Sequence, residues 1–174
     1  MQLSQNFTLK ELTASQTAAR NGIPNNPNED QISNLQKLAE NVLQPVRDHY
    51  EKPVTISSGF RSPELCAKIG SSATSQHSKG QAADFEIFGV PNAELAKWIN
   101  ENVDYDQLIL EFHNPDEPNS GWIHCSYKSK EENRKQFLRA YRDEQGKTKY
   151  EPYSYAKKEM SKEEVNNSLI DNNS

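Results

Sequence analysis

The sequence predicts an α+β fold, with helices flanking a small, mainly antiparallel sheet. Three observations lead there. Apolar residues recur at helical spacing across residues 28–50. Short segments of strand character occur at 54–58, 81–88, 106–112 and 122–127. The last two are joined by a long, turn-rich linker, as antiparallel neighbours are.

Taken in order, Thr8-Leu9-Lys10-Glu11 reads as a capping box opening a short helix. Residues 21–27 carry loop chemistry. Ile32, Leu35, Leu38, Ala39, Val42, Leu43 and Val46 then mark one face of a long helix ending near Tyr50, which Pro45 should kink. After Lys52-Pro53 comes a strand at 54–58, closed by Gly59. Ser62-Pro63 looks like an N-cap with proline at the first helical position, for a helix over 64–69 that stops at Gly70.

A polar loop, 71–80, leads into the 81–88 segment. There Ala83, Phe85 and Ile87 alternate with Ala82, Asp84 and Glu86. Asn92 is placed to cap a helix reaching about Asn102. The strands 106–112 and 122–127 follow, and 131–141 suggests a last helix. Beyond Gly146 the chain is polar. The expected organisation is therefore a domain over 1–145 and an extension over 146–174, either mobile or docked onto a larger assembly.

Composition narrows the function classes. The 174 residues are 33% hydrophobic and 26% charged, with a net charge of −5. An acidic chain with scattered Lys and Arg argues against nucleic acid, which needs a basic stripe. No stretch is apolar enough for a membrane span. The start shows no basic region followed by an apolar run, so no secretory signal is expected. Two cysteines, Cys66 and Cys125, make no disulfide framework, and both are expected to be reduced. Leu, Ile, Val and Phe together make up only about a fifth of the chain. A bound metal is one way for so thin a core to hold.

The residues that suggest a metal are His77, at the end of the polar loop, Asp84, on the polar face of the next strand, and His124, mid-strand in Trp122-Ile123-His124-Cys125-Ser126. Two imidazoles and a carboxylate form a normal catalytic zinc set that leaves one position open. Spacing alone makes this a modest signal, since a lone strand histidine is usually a satisfied core residue.

The local words are more specific. Ser75-x-His77-x-x-Gly80-x-Ala82-x-Asp84 resembles the signature of the zinc D-Ala-D-Ala carboxypeptidase and L-alanyl-D-glutamate endopeptidase family of peptidoglycan peptidases. Bacteriophage endolysins and D-Ala-D-Ala dipeptidases belong to the same family. Ser58-Gly59-Phe60-Arg61-Ser62-Pro63, Gln107-Leu108-Ile109-Leu110-Glu111 and Gly121-Trp122-Ile123-His124 match in order. Phe7-Thr8-Leu9-Lys10-Glu11-Leu12 resembles the opening of its compact, phage- and bacterial-type branch. The likeness covers roughly residues 5–140.

The resemblance implies a zinc cleft on the sheet, in a hedgehog/D-Ala-D-Ala-peptidase-like fold, with one Zn2+ held by His77, Asp84 and His124. Arg61 would hold a substrate carboxylate or the polarised carbonyl oxygen. Ser75 would bind substrate or orient the loop. Many members carry an acid three residues before the second zinc histidine, where this chain has Gly121. Glu111 is the expected replacement as general base, with Glu86 in reserve and Asp116 and Glu117 as weaker candidates. His113 lies two residues beyond Glu111 and would share its face if the strand continues, but a solvent-facing loop histidine is the favoured reading. Cys66 falls near the presumed cleft, where it would affect substrate preference.

The expected activity is hydrolysis of peptidoglycan stem peptides by an endolysin-like enzyme. Such a protein would stay cytoplasmic until release by a holin-type route, or travel with a virion. The other reading is a catalytically weak or inactive metal-binding component, for example of a virion, motivated by Gly121 and the extension.

Overall fold

The computed structural model describes residues 1–154. A small hairpin, β1 (Gln2–Ser4) with β2 (Phe7–Thr8), precedes two short helices, α1 (Leu9–Thr13) and α2 (Gln16–Asn21). Thr8 caps α1 by accepting from the Glu11 N–H, as its sequence predicts. Helix α3 (Glu29–Leu38) opens with a full Asn28/Gln31 capping box. It runs through a π-helical turn, Ala39–Leu43, into α4 (Gln44–Tyr50). The wider turn is how the helix accommodates Pro45. The proline has no N–H for an i−4 bond and its ring crowds that carbonyl, and just before it the Gln44 N–H reaches the Ala39 carbonyl five residues back.

The remaining elements build a six-stranded sheet. They are β3 (Thr55–Ser58), α5 (Pro63–Lys68), β4 (Ala82–Glu86), α6 (Asn92–Asn102), β5 (Gln107–Glu111), β6 (Trp122–Ser126), β7 (Gln136–Arg142) and β8 (Thr148–Pro152). Strand order is β3-β4-β6-β5-β7-β8, antiparallel except for the β5–β7 pair. The α+β expectation holds.

Two expectations do not. Residues 131–141 were expected to form a last helix. Instead Lys135 turns with φ of 50° and residues 136–142 become a strand beside β5. Pairing of β5's otherwise bare edge overrides a weak helical pattern. The boundary expected at 146 falls inside the β7–β8 hairpin, whose second strand is part of the sheet. Residues 155–174, on which the rest of the expected extension falls, lie outside the described residues.

Alternation gives the sheet two different faces. Ala83, Phe85, Leu108, Leu110, Ile123 and Cys125 join a buried cluster with Leu35, Leu38, Val42 and Leu43 of the long helix and Leu95 and Ile99 of α6. The opposite face carries the polar residues. Register sets them in rows across the strands. One row is Asp84, His124, Ile109, Leu138 and Pro152, and the next is Trp122, Glu111, Ala140 and Tyr150.

Candidate metal centre and cleft

His77 reaches the polar face from a 3-10 turn, Gln76–Lys79. Ser75 caps this turn by accepting from the His77 N–H, 3.2 Å away. Gly80 ends it with φ of 73°, and a Cβ there would lie 2.4 Å from the Gln31 carbonyl oxygen, so only glycine fits. The His77 ring is fixed by its Nδ1, 2.8 Å from the Gly59 carbonyl oxygen. A carbonyl only accepts, so Nδ1 carries a hydrogen and Nε2 points at Asp84, donating to it as an imidazolium or offering a lone pair to a cation as a neutral ring.

Asp84 and His124 are direct cross-strand partners on β4 and β6. Asp84 Oδ1 lies 3.0 Å from His124 Nδ1 and 3.4 Å from His77 Nε2. Tetrahedral zinc with bonds near 2 Å separates its ligand atoms by about 3.3 Å, so this donor set fits a metal of that class. The ligand atoms of all three residues lie within 4.8 Å of one another. Burial alone would raise the Asp84 carboxyl. Hydrogen bonds from His124 and His77, and their charge, outweigh it and hold the group below the usual carboxylate range.

Arg61 stands behind this carboxylate. Its Nη2 donates to Asp84 Oδ2 at 3.2 Å, and its Nε donates to Ser58 Oγ at 2.8 Å. The guanidinium thus orients the Asp84 carboxylate while still lining the cleft.

Glu111 lies on the strand beside β6, opposite Trp122 and diagonal to His124. It too lines the cleft. Burial, and then the charge of Asp84, push its carboxyl above the ordinary value, against smaller lowering effects of His124 and Arg61. Glu86 shares the face of Asp84 but is held aside by the Asn92 amide, which donates to its Oε1 at 2.9 Å. It does not line the cleft.

Gly121 is required by the backbone. Its φ is 71°, and a Cβ would sit 2.0 Å from the Glu111 carbonyl oxygen and 2.9 Å from the His113 nitrogen. No side chain, acidic or otherwise, fits there without moving the start of the β5–β6 pairing.

The cleft has a volume of about 700 Å³. Lys79, Lys128 and Arg134 line one end with Gln76, Gln107 and Gln136; Trp122 on β6 and Tyr150 on β8 flank Glu111 from opposite sides. Sequence reasoning passed over the anchor of the cationic end. Asp106, fully buried, accepts from Arg134 Nη2 at 2.8 Å, Arg134 Nε at 3.0 Å, the Arg134 backbone N–H at 3.0 Å and Gln76 Nε2 at 2.9 Å. It ties the turn bearing His77 to the loop before β7. Despite its burial, these bonds hold its carboxyl down at about 2. The acid and its partners stand about thirty residues apart, so no local motif marks them.

Other residues singled out in the sequence fall outside the cleft. His113 does not share the Glu111 face. Phe112 turns with φ of 54°, and the His113 ring donates through Nδ1 to the Ser120 carbonyl, 3.1 Å away, outside the cleft. Since a carbonyl only accepts, His113 is the donor there. Cys66 is buried, with Sγ 3.8 Å from the Arg61 carbonyl oxygen, and does not line the cleft. Cys125 is buried on the core face, as alternation requires, and burial pushes its thiol well up. Asp116 and Glu117 sit in the exposed turn around the Asn114–Glu117 bridge, away from the cleft.

Comparison with known proteins agrees with this arrangement. No curated protein matches the chain. The sequence model of the family described as Peptidase M15 matches residues 5–126, a span that contains His77, Asp84, His124, Arg61 and Glu111. With 122 of 174 residues matched and the His/Asp/His cluster on the sheet, the chain belongs to the Peptidase M15 family of zinc peptidoglycan peptidases.

Proposed function

We propose that the chain is a zinc-dependent hydrolase of peptidoglycan stem peptides, of the D-Ala-D-Ala carboxypeptidase or L-Ala-D-Glu endopeptidase type. The observation that carries this is the convergence of His77, Asp84, His124 and Glu111 in one open cleft. Zinc held by His77, Asp84 and His124 supplies a Lewis acid for the scissile carbonyl and activates water for attack.

The chain's own groups do the rest. Glu111 takes the proton from the attacking water and returns it to the leaving amine, a task suited to a carboxylate whose pKa is raised by burial. Asp84 stays ionised beside it. Arg61, braced on Asp84 and Ser58, offers its remaining N–H groups to a substrate carboxylate or to the carbonyl oxygen. Ser75 accepts from the His77 N–H and keeps its own hydroxyl proton to donate into the cleft. Glu86, hydrogen-bonded to Asn92, is the weaker candidate for the base.

An endolysin-like setting, with release by a holin-type route or carriage on a virion, goes with this reading. The inactive alternative drew on Gly121, but a glycine there is what the backbone needs and favours neither reading. The test is bound-metal analysis together with digestion of purified peptidoglycan, with the fragments identified by mass spectrometry. Stoichiometric zinc and cleavage at one stem-peptide bond are expected, with cleavage lost in Glu111→Ala. A chain that binds zinc but releases no fragment from any wall would be the inactive component instead.

A further inference from the structure

The β7–β8 hairpin lies beyond the matched residues 5–126, yet it forms one wall of the cleft. Its two faces are used differently. On the core face Phe137 and Tyr153 pack edge to face at 4.9 Å between ring centroids, and Arg139 pairs with Glu151. These contacts pin the hairpin. On the cleft face stands Tyr150, directly across from Ala140, which in turn is level with Glu111. Alanine is the smallest side chain able to fill that row, so nothing bulky separates the phenol from the carboxylate.

Tyr150 is 57% exposed, and its hydroxyl has no hydrogen-bond partner among the described residues. An aromatic ring open to solvent at the rim of a substrate cleft has surface to bury and a donor to use when a ligand arrives. Burial, followed by the charges of Glu111 and Asp84, raises the phenol's pKa, which keeps it a neutral donor through the physiological range.

We infer that Tyr150 is a specificity-determining residue that contacts the substrate, closing the cleft on the Glu111 side with its ring and donating a hydrogen bond through its hydroxyl. Trp122, level with Glu111 on the other flank, makes the opposite wall. The substrate segment next to the scissile bond is then held between two rings, with the base between them. This inference rests on the proposed peptidase activity.

The test uses the full zinc-loaded chain and a disaccharide-pentapeptide muropeptide. Tyr150→Ala is expected to raise KM about tenfold with kcat near native, the mark of lost ground-state binding. Tyr150→Phe is expected to raise KM about threefold, the scale of one hydrogen bond. Zinc content and melting temperature should stay native in both. Native KM in Tyr150→Ala overturns the inference and leaves the peptidase reading intact. A fall in melting temperature that tracks the activity loss, as expected of the structural control Tyr153→Ala, assigns the effect to hairpin folding and also overturns it. No turnover of the muropeptide or of whole peptidoglycan by the native chain removes the peptidase reading and this inference together.

Discussion

Asp84 and Glu111 are two carboxylates on one face of one sheet, separated only by the strand that carries His124. Their surroundings drive them in opposite directions. Asp84 is buried but receives two imidazoles and a guanidinium, and its proton is held loosely. Glu111 is half-buried, has no such set of donors and feels the negative charge of Asp84. The difference shows how identical chemistry is divided into a permanent anion, fit to hold a cation, and a group able to take and return a proton.

The sharpest way to break this comparison is to remove each carboxylate in turn. Asp84→Ala should lose both bound metal and activity. Glu111→Gln should keep the metal and lower kcat by about 10²- to 10⁴-fold, the range of a lost general base. Metal analysis beside kinetics separates the two; equal loss of metal in both would mean that the carboxylates share one role.

Next in size is Gly121→Ala. Its Cβ would press on the Glu111 backbone, so we expect a loss of about 2–3 kcal/mol in denaturant unfolding. A native-like stability would show that the backbone between β5 and β6 yields more easily than its geometry suggests. Chelation comes third. Because metal binds only the folded site, its removal should lower the melting temperature by about 5 °C. An unchanged melt with the metal demonstrably gone would mean that the core stands without it.

The smallest effects are in pH. In the metal-free chain Glu111 holds its proton more tightly when folded, so its carboxyl should titrate above the ordinary glutamate value of 4.5. Its contribution to stability favours the folded chain at acid pH and fades as pH rises through its folded value. Asp106 does the reverse. Its folded value is about 2 against an ordinary 3.8, so its contribution is present above about pH 4 and lost as the pH falls towards 2. Acid titration of Asp106→Asn should lack that part of the loss.

How much of this was legible depends on how local each signal is. His77, Asp84 and His124 could be read because each sits in a short word whose residues shape its own turn or strand. Ser75 caps the His77 turn and Gly80 ends it. The antiparallel β5–β6 pair followed from two alternating segments and a turn-rich linker, and with it the closeness of Glu111 to His124. Strand β7 was not legible, because Phe137, Leu138 and Tyr141 mimic a helical face until the edge of β5 claims them. Asp106 escaped notice because its partners, Gln76 and Arg134, come from distant segments. Tyr150 escaped because it acts through a hairpin whose register no short motif records. A single left-handed residue, Phe112, takes His113 off the Glu111 face and makes it the loop histidine the sequence favoured.

The lining of the cleft has a consequence for how substrate arrives. Four fixed cations, Arg61, Lys79, Lys128 and Arg134, stand against three carboxylates, Asp84 and Glu111 in the lining and Asp106 beneath Arg134, on a chain whose net charge is −5. The cleft is a positive opening in a negative molecule, and a divalent metal would deepen it. An anionic substrate would therefore be drawn to the site while the rest of the surface repels it. Capture would slow as added salt shortens the reach of that attraction, which is about 10 Å at 0.1 M, while the rate of the bound complex would hardly change.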